Sequence, residues 1–316
     1  MKIVVLERNS VMQNDIDYSC LDKVADIIYY DEVAPDKLIE TIGDADGVIV
    51  NKTQITSEIM QKCPNLKYVG TFATGYNNID VENASKYGVT VCNVPKYSTE
   101  GVAQFTIAFI LYTASSLGKY VDSVANGDWI KCKNFCYYPF EIVEVCGKTL
   151  GIIGFGSIGK RVAEIATALG MKVIISSRTK KECPYEFVSR EELLKRSDWV
   201  SLHLPLSKET ENLINEESIS LMKDGAILIN TARGGLIDEN ALANALKSGK
   251  IKASFHDVVK VEPMSENCPL FNVPNCYITP HVAWAGTNTR QRLVNIASEN
   301  VKRFIEGNPQ NVVNGK

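Results

Sequence analysis

Glu262 and His281 stand 19 residues apart, enough chain for a loop to bring the two side chains together. A carboxylate beside an imidazole favours the protonated ring and fixes its orientation, which is what a general acid for carbonyl reduction needs near neutral pH. Arg233 leaves a strand-like run, Ala226 to Asn230, directly before Gly234 and Gly235. A guanidinium so placed is positioned to meet a carboxylate, and its planar fork can bind two oxygens at once, as on an α-keto acid. Each of these residues has a plainer reading, an Arg paired with a neighbouring acid or a His satisfied within the fold. The plainer reading loses ground because the same chain carries the signature of a redox cofactor.

That signature is TLGIIGFGSIGKRVAEIATALGMKVIISSRTKK, Thr149 to Lys181. An apolar strand runs into Gly154, Gly156 and Gly159, a helix pattern follows from Ser157 and Ile158 to Leu169, Gly170 closes it, and Val173 begins a second strand. Gly154 permits the tight turn, Gly156 lets backbone approach a pyrophosphate, and Gly159 lets helix and strand pack closely, with the helix N-terminus facing the phosphates. Where an NAD site usually carries Asp or Glu for the ribose 2′-hydroxyl stand Ser177, Arg178, Thr179, Lys180 and Lys181. Arg178 can pair with a 2′-phosphate, Ser177 and Thr179 supply hydroxyls, and either lysine adds positive charge. The expectation is NADP(H), with NAD(H) as the alternative if these are only solvated surface residues.

The elements that must hold these residues follow the rhythm of an α/β protein. Before the glycine turn, strand signals at Ile3 to Leu6, Val48 to Val50, Leu66 to Gly70 and Val89 to Cys92 alternate with amphipathic segments, which predicts a small parallel sheet covered by helices. After it, strand signals recur at Trp199 to Leu202, Ala226 to Asn230, Ala253 to His256 and Tyr277 to Thr279, completing one doubly wound domain. Ser98 to Leu117 is apolar on nearly every face and reads as a long buried helix between two domains, too polar at its ends for a membrane span. Residues 118 to 147 are aromatic and irregular, as an extended arm or subunit contact would be. From about Gly286 a helical pattern resumes.

Composition sets the outer bounds. At 316 residues, with 45% hydrophobic and 22% charged residues, the chain has room for two ordinary globular domains. A net charge of −3 gives no reason to expect nucleic acid or a membrane as partner. The opening MKIVVLERNS reads as a first strand and not a signal peptide, so a cytoplasmic location is expected. Nine scattered cysteines without a CxxC pair, and only three histidines, point to reduced thiols and no metal cluster.

TLGIIGFGSIGKR, VSLHLPLSKETENLI, LINTARGGLIDENAL, DVVKVEP and TPHVAWA, in this order and spacing, resemble the D-isomer-specific 2-hydroxyacid dehydrogenases. ATGYNNID and NVPKYSTEGVAQ extend the likeness over nearly the whole chain, and it is closest to the glycerate dehydrogenase, or hydroxypyruvate reductase, branch. The resemblance implies a discontinuous flavodoxin-like substrate domain, residues 1–98 and 286–316, with a Rossmann cofactor domain, 99–285, inserted in it. It implies Arg233 as the substrate arginine, Glu262 as the histidine's partner and His281 as acid/base. On the cofactor side it implies Asp257 at the nicotinamide amide, Thr231 and Ala232 beside the ring, and Leu204, Pro205 and Thr210 around the adenosine. Asn51, Ala73, Thr74 and Gly75 match loops whose backbone N–H groups receive the substrate carboxylate, and Trp284 follows the histidine into the substrate site. The implied substrate is a small 2-keto acid and the implied assembly a homodimer.

Departures from the family pattern are Tyr76, where a smaller polar residue is common, and Phe255 with His256 before Asp257. His256 is thereby a second candidate imidazole, whereas His203 is read as structural. A D-lactate-type or branched-keto-acid reductase differs only in pocket lining, and a dinucleotide-sensing corepressor is the alternative from another class.

Overall fold

The structure, a computed structural model, describes residues 1–180 and 182–315. It divides into two compact units, Met1–Ser98 together with the segment from Trp284 onward, and Thr99–Ala283.

The first unit holds five strands, β1 (Lys2–Val5), β2 (Asp26–Tyr29), β3 (Gly47–Val50), β4 (Tyr68–Thr71) and β5 (Thr90–Cys92), all parallel in the order β2-β1-β3-β4-β5. That is the flavodoxin-like order. β3 and β4 are buried at every position, as expected for central strands covered on both faces. The covering helices are α1 (Ser19–Asp22), α2 (Leu38–Ile42), α3 (Ser57–Lys62) and α4 (Val81–Lys86), with a long helix from the end of the chain described below. β2 was not legible from the sequence stretches noted above. It is an edge strand, with Asp26 exposed and the other three residues only partly buried, and its apolar run is two isoleucines long.

The second unit opens with α5 (Thr99–Ala114) and α6 (Leu117–Ala125). Its seven parallel strands are β6 (Thr149–Ile153), β7 (Lys172–Ser176), β8 (Glu186–Phe187), β9 (Trp199–Leu202), β10 (Ala226–Asn230), β11 (Ile251–His256) and β12 (Cys276–Ile278). They run β12-β11-β10-β9-β6-β7-β8, the Rossmann order with its reversal between β6 and β9. The helices are α7 (Ser157–Ala168), α8 (Arg190–Arg196), α9 (Glu216–Leu221) and α10 (Glu239–Ser248), while α11 (Thr287–Ile305) returns to the first unit. Both sheets are therefore doubly wound, and Trp284 falls in the first unit, two residues before the boundary read from sequence.

The long apolar stretch after Ser98 is not one buried helix. It breaks at Ser115–Ser116, where Ser116 takes a left-handed φ of 47°, and the two halves meet at 60°. α5 buries Val102, Ala103, Ile107, Phe109 and Ile110 and leaves Leu111 and Tyr112 exposed. No single helix among the described residues is long and apolar enough to cross a membrane; the bent pair passes only by length and composition.

Candidate active site

Ligands of open α/β sheets bind where the strand order reverses, at the carboxyl ends. In the second unit that point lies between β6 and β9, and Gly154 follows β6 there with φ +97°. A side chain at Gly154 would run into the carbonyl oxygen of His203, which follows β9, so the turn closes tightly on the neighbouring strand. A Cβ at Gly159 would strike the carbonyl of Gly154. At Gly156, by contrast, a Cβ meets nothing within 4 Å. The middle glycine thus faces open space directly at the start of α7, whose first N–H groups lack intrahelical partners. This is a cradle a pyrophosphate fits.

Around it, Ser177 is half-buried and Arg178, Thr179 and Lys180 are exposed, while Lys181 lies outside the described residues. Arg178 is not simply solvated: its guanidinium lies 3.4 Å from the Glu209 carboxylate. Leu204 is half-buried and Pro205 exposed. The Thr210 hydroxyl donates to the Pro205 carbonyl (2.8 Å) and accepts from the Ser207 N–H (2.7 Å), tying its own turn together. Thr231 is buried with its hydroxyl 3.1 Å from that of Thr106.

Three local devices hold the chemistry-bearing residues of this unit. The buried Asn230 side chain accepts from the Ala232 N–H (3.0 Å) and donates to the Arg233 carbonyl (2.8 Å), shaping the turn from which Arg233 emerges. Nothing in the string around Asn230 marks it for this task. Arg233 itself is exposed and, among the described residues, meets no carboxylate; its Nη1 donates only to the Ala232 carbonyl. The guanidinium is left for an external anion.

Second, Asp257 is buried, and its Oδ1 accepts from the Thr279 hydroxyl (2.7 Å) and the Val282 N–H (2.8 Å), its Oδ2 from the Ala283 N–H (2.8 Å). Burial pushes its carboxyl up, and these hydrogen bonds oppose the shift. Asp257 therefore pins the turn carrying His281, a task its sequence context did not announce. Third, His281 sits in that turn with φ +55°, a left-handed conformation that costs a non-glycine residue on the order of 1 kcal/mol and clusters at functional sites. Its Nδ1 lies 2.7 Å from Glu262 Oε2, while Glu262 Oε1 accepts from the Val259 N–H (3.1 Å). Nε2 of His281 has no partner among the described residues.

Of the other two histidines, His256 is buried and His203 half-buried. Burial pushes both His203 and His256 down to about 4, so each is a neutral ring. His203 Nε2 lies 2.8 Å from the Ser201 hydroxyl, in keeping with the structural reading, and Nε2 of His256 has no partner. His256 is not a second acid.

In the first unit the reversal falls between β1 and β3, and here the structure corrects the sequence. Asn51 was expected to offer its N–H to a substrate carboxylate. Instead Glu7, just beyond β1, lays Oε1 across the N–H groups of Asn51 (2.6 Å), Lys52 (2.7 Å) and Thr53 (2.7 Å). An internal anion fills that nest. The N–H groups of Ala73, Thr74 and Gly75 donate to nothing among the described residues, although Ala73 and Thr74 are fixed by bonds to Val94. Tyr76 stays exposed, and Trp284 packs edge-on against Tyr97 with ring centres 6.3 Å apart.

A doubly wound unit with a pyrophosphate cradle, an uncompensated arginine and a carboxylate-bound histidine defines a dinucleotide-dependent oxidoreductase. Residues 107–283 match the sequence profile of the D-isomer specific 2-hydroxyacid dehydrogenase NAD binding domain. The chain is 42% identical to a hydroxypyruvate reductase of Blautia hydrogenotrophica over 99% of its length and 100% of that protein. It is 37% identical to a glycerate dehydrogenase of Methylorubrum extorquens, over 99% of this chain and 98% of that one. The crystal structure of TT0316 from Thermus thermophilus superposes with a TM-score of 0.89 at 35% identity, covering 99% of this chain and all of that one. The chain belongs to the D-isomer specific 2-hydroxyacid dehydrogenase family.

Proposed function

We propose that the chain reduces a small 2-keto acid of the hydroxypyruvate or glyoxylate type to the D-2-hydroxy acid, with NADPH preferred over NADH. The observation that carries the reading is the 2.7 Å contact between His281 Nδ1 and Glu262. With Nδ1 held by the carboxylate, Nε2 is the atom that hands a proton to the carbonyl oxygen as negative charge develops there. Arg233 binds the substrate carboxylate through its fork, and its lack of an internal acid leaves that capacity unspent. In the first unit, the N–H groups of Ala73, Thr74 and Gly75 are donors suited to a substrate carboxylate. Gly154, Gly156, Ser157, Ile158 and Gly159 hold the pyrophosphate, Leu204 and Pro205 the adenine, and Thr231, Ala232 and Asp257 the nicotinamide side. When bound, the nicotinamide supplies the hydride to the keto carbon.

In this reading the enzyme works as a cytoplasmic homodimer. Its nine cysteines stand as free thiols, as in a reducing compartment, and the arm after α5 exposes the apolar surface a second copy would cover.

A panel of hydroxypyruvate, glyoxylate, pyruvate and branched 2-keto acids, followed by loss of reduced-dinucleotide absorbance, tests the substrate class. His281→Ala should lower kcat by about 10²–10⁴-fold, the span of general acid catalysis, while dinucleotide affinity stays unchanged. Near wild-type turnover in that variant refutes the assignment. A wholly inactive panel with tight dinucleotide binding would indicate a sensor instead.

A further inference from the structure

Glu239 lies outside the residues assigned above, yet its carboxylate is buried and aimed at the loop that carries Glu262. It is the first residue of α10, where Asp238 already caps the helix by accepting from the N–H groups of Asn240 (3.0 Å) and Ala241 (3.1 Å). The glutamate is therefore not needed as a cap. Its Oε1 accepts from the Lys260 N–H at 2.7 Å, and its Oε2 receives the Cys268 thiol at 3.8 Å.

Lys260 is two residues before Glu262. Residues 260 to 267 are exposed. A polar cavity of about 380 Å³, lined by Asp238, Glu239, Lys260, Ser265 and Cys268 among others, lies beside the loop and the start of α10. The Lys260 side chain reaches Glu211 only at 4.0 Å on the surface, a contact of little energetic weight. On the other side, Gly234 has no room for a Cβ because the Val259 carbonyl fills the space. Val259 and Lys260 are thus gripped between the Arg233 turn and the Glu239 carboxylate, and Glu262 follows from there to His281.

We propose that Glu239 is a positioning residue that acts through Glu262: by holding the Lys260 N–H it sets the loop so that Glu262 meets His281 and the Val259 N–H together. This rests on the reaction proposed above. A hydrogen bond to a carboxylate is stronger than one between neutral groups, so its loss frees the Lys260 end of this exposed loop.

The test is a double-mutant cycle between Glu239 and Glu262. Glu239→Ala should lower kcat/KM for the keto acid about tenfold, through kcat, with the KM for dinucleotide unchanged. In a Glu262→Gln background the same substitution should cost less than about twofold, because the group it positions is already disabled. Glu239→Gln, whose amide oxygen still accepts from Lys260, should stay within about threefold of wild type. Glu239→Asp keeps the charge but is a methylene too short to reach, and should fall like the alanine variant; it carries the cycle should Glu239→Ala fail to fold. Equal costs in both backgrounds, or wild-type kinetics in the alanine and aspartate variants, overturn the proposal. So does a failure of both to accumulate as folded protein, which would place Glu239 in the fold alone. A Glu262→Gln enzyme as active as wild type would instead overturn the reaction assignment.

Discussion

Arg178 has a side chain 90% exposed and a partner, Glu209, 76% exposed, so the bond between them contributes little to stability and is free to exchange. A 2′-phosphate offers the guanidinium a doubly charged, bidentate acceptor in place of one distant carboxylate oxygen. Arg178→Ala should therefore lower the ratio of kcat/KM for NADPH over NADH by about tenfold or more, given 1.5–3 kcal/mol for a charged hydrogen bond. Glu209→Gln should raise the ratio severalfold by removing the competitor. A wild type without preference for NADPH sinks the claim. At this scale the sequence is legible where side chains of distinctive chemistry stand at strand ends and opaque where a side chain meets backbone. Arg233, Glu262 and His281 stand out because cation, acid and imidazole sit at strand ends in recognisable strings. Glu7 and Glu239 are single carboxylates whose partners are amide N–H groups, and an amide N–H has no letter in the sequence. The same blindness made Asn51 look available when Glu7 had already claimed its N–H.

At the scale of elements, the central strands were readable because burial on both faces demands continuous apolar runs, as in β3, β4 and β9. The edge strands β2 and β8 were not, since an edge strand needs little apolar sequence and β8 is two residues long. The break after α5 was also hidden, because hydrophobicity continues across it while the backbone turns. The outcome is an apolar stripe that faces outward: Leu117, Val121 and Val124 on α6, at helical spacing, followed by Ile130 and Phe135, each 89% exposed. Clustered exposed apolar residues mark interaction surfaces, and a self-complementary patch on a two-fold axis is the commonest way to cover them. Val121→Asp combined with Ile130→Asp should convert a dimer to monomer in sedimentation equilibrium without altering the far-ultraviolet spectrum. A wild type that sediments as a monomer would refute the dimer, and an unchanged dimer in the double variant would place its interface elsewhere.

For the whole molecule, the buried imidazole of His256 and the half-buried one of His203 predict how stability responds to acid. Burial holds His203 and His256 at about 4, whereas an unfolded chain presents histidines near 6.5. Between those values the unfolded second unit binds protons that the folded one refuses, so stability is fully present above about pH 6.5 and is lost as pH falls towards 4. Each ring withdraws roughly 3 kcal/mol across that window, at about 1.4 kcal/mol per pH unit. The exposed carboxylates paired with lysine or arginine, such as Glu186 and Asp224, are held below their usual range and act only at lower pH. Urea unfolding at pH 7, 6 and 5 should accordingly show a steep fall. His256→Leu separates the cause: it removes one of the two protons and also an imidazole nitrogen buried without a partner, whose desolvation is uncompensated. The variant should be at least as stable as wild type at pH 7 and should lose stability about half as steeply towards pH 5. An unchanged slope would mean that His256 finds a partner in solution and that the acid response arises elsewhere.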